Sequence, residues 1–299
     1  NISQDFLADT PIKLNVSVDE PTTRAGYSDA DKPTGFVLEV VNHNADKYNY
    51  LVWAKKVGDS WKTYKPDETL KGGTDEEVTM LWANMNDKVD VTAFTNIGTI
   101  TIPTDQTSDD QLKEADVLYM PFTKYTPTNK GITVNLQHAM SKINLTIELG
   151  SEYEFSEEDV DLKITDVKID GSSVSGDLAS GGIYDVSGDP TPISPYRTGT
   201  TPYSKTNGVI TKASATYEAI LIPQTIASGN FTVSFKVDGK LYEWAYNQEL
   251  TLASTTAYTL KLIAGDDKVQ PVSFSVAAWK AGNGENGEKK ETEIGRAHV

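Results

Sequence analysis

Three histidines, His43, His138 and His298, are the only imidazoles in the chain, and cysteine is absent. Thiol nucleophiles, disulfides and cysteine-ligated zinc are therefore excluded together. His298 lies in the terminal tail. His138 sits in an alternating run at core-facing parity, where a hydrogen-bonded structural role is expected rather than proton transfer. His43 falls in Asn42-His43-Asn44-Ala45-Asp46, a run of oxygen donors. A calcium loop, however, needs glycine at its sixth position and glutamate at its twelfth, where Lys47 and Trp53 stand. No H-E-x-x-H, G-x-S-x-G, Walker or dinucleotide motif occurs. Adjacent acids such as Asp109-Asp110 and Glu157-Glu158 are what an acidic composition supplies, whereas glycosidase carboxylates must stand ~5–9 Å apart in a cleft. No catalytic residue, metal ligand or cofactor is assigned.

Aromatic rings offer a different chemistry. Tyr48, Tyr50, Trp53, Trp61 and Tyr64 cluster in sequence, and exposed ring faces stack on sugars. Trp53, Trp61 and Tyr64 are therefore candidate glycan contacts; the alternative is that alternate rings fill the core while their neighbours face solvent. Lys and Arg number 27 against 43 Asp and Glu, a net charge of −16, which excludes a nucleic-acid partner because phosphate binding needs basic patches. No run approaches the ~18 apolar residues of a membrane-spanning helix.

Strands must position these groups. Apolar and polar residues alternate over Ile12–Val18, Phe36–Val40, Tyr50–Trp53, Val78–Trp82, Val89–Phe94 and Ile97–Ile102. Val134, Leu136 and Met140 keep one parity while Ile143, Leu145, Ile147 and Leu149 take the other, which predicts a β-bulge near residues 139–142. One short helix is expected, where Ser108 and Gln111 form an S-x-x-Q capping box ahead of Leu112, Ala115 and Leu118. Leu162–Ile169, Tyr217–Ile222, Tyr258–Leu262 and Val272–Val276 add strands. Phe231–Val237, Asp238-Gly239 and Lys240–Tyr246 read as a hairpin with a type I′ turn. Residues 183–208, rich in proline, glycine, serine, threonine and tyrosine, are too long for an ordinary connector and read as either a functional surface loop or a mobile segment.

Many short strands and almost no helix predict an all-β chain of two tandem antiparallel β-sandwiches, with the short helix in the first. The acidic stretch from Gly150 to Asp159 is the expected linker, dividing the chain at 1–150 and 151–282. Residues 283–299 end in Glu293-Ile294-Gly295-Arg296-Ala297-His298-Val299, which reads as a non-native tail. The start at Asn1 reads as a processed or truncated end.

Several segments together resemble the fimbrillin family of type V pilins and related surface lipoproteins of Bacteroides-like bacteria. They are Ile12–Val18 followed by Thr22-Thr23-Arg24-Ala25, then Ala115-Asp116-Val117-Leu118-Tyr119, and then Val134 to Ile143, which carries the H-x-hydrophobic-S-K-hydrophobic motif through His138, Ser141 and Lys142. Tyr217–Gln224, Tyr242-Glu243-Trp244, Tyr258-Thr259-Leu260 and Val276-Ala277-Ala278-Trp279 complete the set. The resemblance implies two transthyretin-like sandwiches in a fimbrial subunit at the outer-membrane surface. It also implies a lipid anchor upstream of Asn1, cleavage between Arg24 and Ala25 by an arginine-specific protease, and assembly with other fimbrial subunits by strand exchange. His138, Ser141, Lys142, Trp244 and Trp279 are its expected motif core.

The residues support that reading on their own terms. Arg24 is one of three arginines and lies between Pro21 and Gly26, in a segment expected to be open to a protease. Upstream, Ile12, Leu14, Val16 and Val18 would bury about 6–12 kcal/mol of apolar contact before ordering costs. Removing that strand would leave a sheet edge beside an apolar slot, which a neighbour's strand could fill. The expected function is thus a non-enzymatic fimbrial subunit contributing to adhesion. The alternative is a non-polymerising surface lipoprotein of the same fold that binds a host or glycan receptor.

Overall fold

The computed structural model of the chain describes residues 5–20, 26–150, 152–153, 163–179, 182–207, 209–265, 268–279, 290–291 and 297–298. The first part holds β1 (Leu14–Val18), β2 (Gly35–Val41), β3 (Tyr50–Val57), β4 (Ser60–Pro66), β5 (Gly73–Glu77), β6 (Val89–Phe94) and β7 (Gly98–Thr101). After the helix α1 (Asp109–Ala115) come β8 (Leu118–Tyr125), β9 (Ile132–His138) and β10 (Ser141–Leu149). Next follow β11 (Ile164–Asp170), β12 (Ser173–Ala179), β13 (Gly182–Pro190), β14 (Tyr196–Thr201), β15 (Ser204–Thr206) and β16 (Val209–Thr211). The chain continues through β17 (Ser214–Leu221), β18 (Thr225–Ile226), β19 (Thr232–Val237) and β20 (Lys240–Ala245), then β21 (Leu250–Thr251), β22 (Thr256–Ala264) and β23 (Val269–Ala278).

An eight-stranded sheet runs β1-β9-β8-β6-β2-β3-β4-β5, so β1 and β5 are its edges. A second large sheet runs β14-β17-β10-β22-β23 and faces β11-β19-β20, with residues 290–291 and 297–298 pairing at their borders. The fold is all-β, as expected. Its sheets are not wholly antiparallel, however, because β1 runs parallel to β9 and β10 parallel to β22.

Local signals predict local structure well. Ser108 caps α1, and the reciprocal Gln111 bond completes the capping box. Leu118 leaves the helix face to begin β8, since the chain turns out of the helix at Asp116. At the β19–β20 hairpin, Asp238 and Gly239 carry φ of +50° and +83°, the left-handed pair that a type I′ turn demands.

Three expectations are corrected. The parity change at 139–142 is not a bulge within one strand: β9 belongs to the eight-stranded sheet and β10 to the second. The flip of apolar face transfers the chain from one core to the other, and Ala139 and Met140 are already buried in the second. Val78–Trp82 forms no regular strand, because its backbone is shared between partners: Val78 donates to the Thr63 carbonyl of β4 at 2.9 Å, while Met80 and Trp82 meet the short piece of chain before β1. Ile12 donates to the Met80 carbonyl at 2.8 Å, and Trp82 to Thr10 at 2.9 Å. Residues 183–208 are largely strand rather than loop, with Pro190, Pro192, Pro195 and Pro202 falling at strand ends or between strands, where no ladder N–H is lost. The expected linker and Leu162 fall mostly outside the described residues.

Two apolar cores result. One gathers β2, β3, β6, β8 and β9 with Trp82 and the β1 residues. The other is built mainly from β10, β11, β17, β19, β20, β22 and β23, and also takes Ile100, Leu112 and Ala115 from earlier in the chain. β7 pairs with β12, which stitches the two parts together.

Glu148, near the end of β10, accepts from Lys261 at 2.9 Å and lies 3.3 Å from Lys212. Burial pushes its carboxyl up, but the hydrogen bonds and charges of the two lysines outweigh that and leave it below its ordinary value. A depressed folded value contributes stability that is complete above the unfolded carboxyl pKa and is lost as pH falls through the folded one. Glu148→Gln is therefore expected to lower the urea midpoint at neutral pH and to match the parent chain in strong acid, as paired denaturation curves at the two pH values would read.

Candidate functional site

The motif residues converge where the two cores meet. His138, the last residue of β9, and Asp116, just after α1, are each 2 % exposed, and His138 Nδ1 lies 2.8 Å from Asp116 Oδ1. His138 Nε2 lies 3.0 Å from the carbonyl oxygen of Asp19, which follows β1. A carbonyl only accepts, so Nε2 carries the proton in that contact. The second carboxylate oxygen of Asp116 accepts from the Tyr27 N–H at 2.9 Å. Preceding Tyr27, Gly26 has φ +89°, and a β-carbon there would come 2.8 Å from Asp116 Oδ2, so glycine is what lets the backbone approach the carboxylate. One buried pair thus fastens the chain on both sides of the expected processing segment, at Asp19 through His138 and at Tyr27 directly.

The imidazole is also stacked on Trp279, with ring centroids 4.6 Å apart and planes 5° from parallel. Trp279 follows β23, so the stack ties the first sheet to the second. On the same indole, Lys142 Nζ lies 5.5 Å from the ring centroid. Lys142 and Glu218 are buried together with Nζ 3.0 Å from Oε2, an ion-pair contact that closes β10 against β17. Removing one member of such a pair costs about 3–5 kcal/mol, because the other charge stays behind in the interior. Ser141 donates to the Ala253 carbonyl at 2.6 Å. Trp244 is fully buried, packed edge-on to Phe231 and Phe274. Of the expected motif core, His138 and Lys142 both touch Trp279, while Ser141 bonds the Ala253 carbonyl and Trp244 packs against Phe231 and Phe274.

β1 occupies an edge. Among the described residues it pairs with β9 alone, from Leu14 opposite Ile132 to Val18 opposite Leu136. Ile12 and Val18 are buried at 8 % and 3 % exposure, while Leu14 and Val16 are half-buried against the first core. Two full and two partial burials amount to about 4–9 kcal/mol, less than four fully buried side chains would give. Polar contacts set the register: Ser17 Oγ donates to Asn135 Oδ1 at 2.8 Å, and Asn135 Nδ2 donates to Asp19 Oδ1 at 2.9 Å. Arg24 and Ala25 lie outside the described residues.

The three candidate glycan rings do not share one face. Trp53 and Tyr64 are direct cross-strand partners on the outer face of the first sheet. Trp61, three residues from Tyr64, takes the opposite face and packs 5.4 Å from the Phe36 ring in the core. Trp53 lies across two glycines: a β-carbon on Gly35 would stand 2.4 Å from its Cζ2, and one on Gly73 2.6 Å from its Cδ1. His43 is exposed and pairs with Asp90 at 2.6 Å. Among the described residues, no group of three or more His, Asp or Glu side chains converges to hold a metal ion.

Asp116, Asn135 and Asp19 are residues of this cluster that pattern alone does not single out. Asp116 carries the one available signal, a lone acid wedged between Ala115 and Val117-Leu118, where a solvated side chain has no room.

No curated protein matches the chain in sequence. Among solved structures, one from Bacteroides ovatus, named provisionally as a cell adhesion protein, is 15% identical with a TM-score of 0.60, the match covering 92% of this chain and 100% of that one. Another from Bacteroides uniformis, also named provisionally for cell adhesion, is 16% identical with a TM-score of 0.56, covering 91% and 99%. The C-terminally truncated tip fimbrial protein Mfa3 of Porphyromonas gingivalis is 10% identical with a TM-score of 0.50, covering 90% and 100%. At such identities the likeness is one of fold. The fimbrillin-like family model matches residues 29–279, taking in β2 to β23, the Asp116–His138 pair and Trp279, and the chain belongs to that family.

Proposed function

We propose that the chain is a non-catalytic fimbrial subunit, displayed at the cell surface and contributing to adhesion, that joins other subunits by strand exchange at the β1 seat. Cleavage between Arg24 and Ala25 by an arginine-specific protease would release β1, and a lipid anchor upstream of Asn1 would hold the uncut form at the outer membrane. The observation that carries this reading is the placement of β1. It is an edge strand with one sheet partner, and both flanks of the segment containing Arg24 are fastened to the buried Asp116–His138 pair. After a cut, Tyr27 would stay on Asp116 while β1 would be held only by its own contacts. Its loss would uncover the β9 backbone and an apolar slot, which another subunit's strand would fill. Donor strand and seat are different surfaces, so the contact is heterologous and need not close, which makes filaments.

We propose a division into two units that follows the cores: β10 builds the second core, and Ala139 and Met140 belong to it, so the boundary we favour lies between His138 and Ala139, ahead of the 150/151 division. The second functional reading, glycan binding without polymerisation, keeps Trp53 and Tyr64 on their shared outer face and sets Trp61 aside.

Treatment of the folded chain with an arginine-specific protease should yield a new N-terminus at Ala25 together with oligomers on a sizing column; an intact chain, or a clipped chain that stays monomeric, would sink the proposal. Ser17→Cys with Asn135→Cys joins side chains already in contact, so oxidation should fix β1 in its seat. The oxidised variant should still be clipped yet remain monomeric, and reductant should restore assembly. For the second reading, a glycan-array signal lost on Trp53→Ala but kept on Lys62→Ala would support it, whereas loss-free binding in both would remove it.

A further inference from the structure

The β1 seat holds more than an apolar slot. Its apolar positions repeat every second residue, so hydrophobic burial alone is nearly indifferent to a slide of two residues along β9. The polar contacts are not. Ser17 and Asp19 point to the same side of β1 and both bond Asn135, at 2.8 and 2.9 Å. The Asp19 carbonyl then meets His138 Nε2 at 3.0 Å, and the Asp19 N–H donates to the Leu136 carbonyl at 2.9 Å. A slide of two residues toward either end would set Asn135 against the wrong pair of side chains, and a strand that ended before the place of Asp19 would leave the buried imidazole N–H without its acceptor. An unsatisfied buried donor costs more than the bond itself is worth. Beside Asp19 lies a cavity of about 190 Å³ bounded by Gln137, His138, Thr255, Ala278 and Trp279, so the end of the seat also has room on one side.

We infer that Asn135 and His138 form a register gate that selects the strand entering the seat. The occupant is another subunit's strand running parallel to β9, apolar at the places of Ile12, Leu14, Val16 and Val18, with a small hydroxyl residue at the place of Ser17. At the place of Asp19 it carries an acid or amide, followed by further chain. A strand that ends one residue early, or whose polar pair is displaced by two, fits the slot and fails the gate. This inference rests on the strand-exchange reading and gives it a recognition rule. Asn135 and His138 are positioning residues here, acting on the incoming backbone and side chains alone.

The test uses the full chain clipped with an arginine-specific protease, offered labelled peptides and followed by fluorescence anisotropy. The native peptide covers residues 12–20. One variant stops at Val18 as an amide, a second carries Ser17→Ala and Asp19→Ala, and a third keeps the apolar alternation but moves the Ser/Asp pair two residues toward its start. The native peptide is expected to be captured, and each variant about tenfold or more weakly, the equivalent of one lost hydrogen bond to a buried or charged partner. On a clipped Asn135→Ala chain the Ser17/Asp19 double variant should bind as well as the native peptide. Equal capture of all four peptides on the parent chain would overturn the gate while leaving strand exchange intact. Failure to capture even the native peptide would overturn strand exchange, and the gate with it.

Discussion

A carboxylate and an imidazole buried side by side hold this molecule's two halves and its first strand in one place. Burying such groups is costly unless each hydrogen-bonding atom finds a partner. Asp116 meets that condition with both oxygens, one on His138 and one on the Tyr27 N–H, and His138 meets it with both nitrogens. Residues 19, 27, 116, 138 and 279 are scattered along the chain, yet each is fixed by the needs of its neighbours. The stack of His138 on Trp279 makes the end of the first sheet part of the wall of the second. The seating of β1 and the joint between the cores are therefore not independent: whatever sits at the place of Asp19 completes the hydrogen bonding of the group that packs between them.

Legibility in the sequence follows the range of the interaction. Asp238-Gly239 and the Ser108 capping box are settled within a few residues, and both form as read. The strand pattern is legible because one face of each strand is buried, which imposes a period of two. The passage from β9 to β10 is a different case. Its parity change is visible, but alternation reports only that the apolar face has flipped, and a bulge and a change of core produce the same flip. Val78–Trp82 alternates because Met80 and Trp82 are buried, although its backbone bonds are divided between Thr63 and the chain before β1 and build no continuous ladder. Residues 183–208 look like a loop because their prolines are counted together, whereas in space they separate successive strands. Trp61 and Tyr64 differ by an odd number of positions, which already assigns them to opposite faces of β4.

The candidate site is the least legible part because all its contacts are long-range. Asp116 reaches back to Tyr27 across 89 positions, and His138 to Asp19 across 119. A family resemblance marks the residues as belonging together without saying what they do for one another. The chemistry becomes visible only when the carboxylate, the imidazole and the two backbone groups are placed within hydrogen-bond distance.

The two edges of the eight-stranded sheet differ in what they would offer an added strand. β5, at the far edge, is Gly-Thr-Asp-Glu-Glu, and every residue of it is exposed. A strand approaching there would bury no apolar side chain and would meet Asp75, Glu76 and Glu77, on a chain whose net charge is already −16. Charge at an exposed edge is how β proteins prevent unwanted pairing, and repulsion between copies adds to it. The β1 edge is built the other way, with apolar positions facing the first core and polar ones keyed to Asn135 and His138. While β1 is seated, that edge ends in a strand with only half-buried side chains at Leu14 and Val16 and little to offer a newcomer. Opening it means displacing β1 itself. The sheet is thus closed by charge at one end and by β1 at the other, and under the proposed strand exchange only the second closure would be undone by cutting the chain.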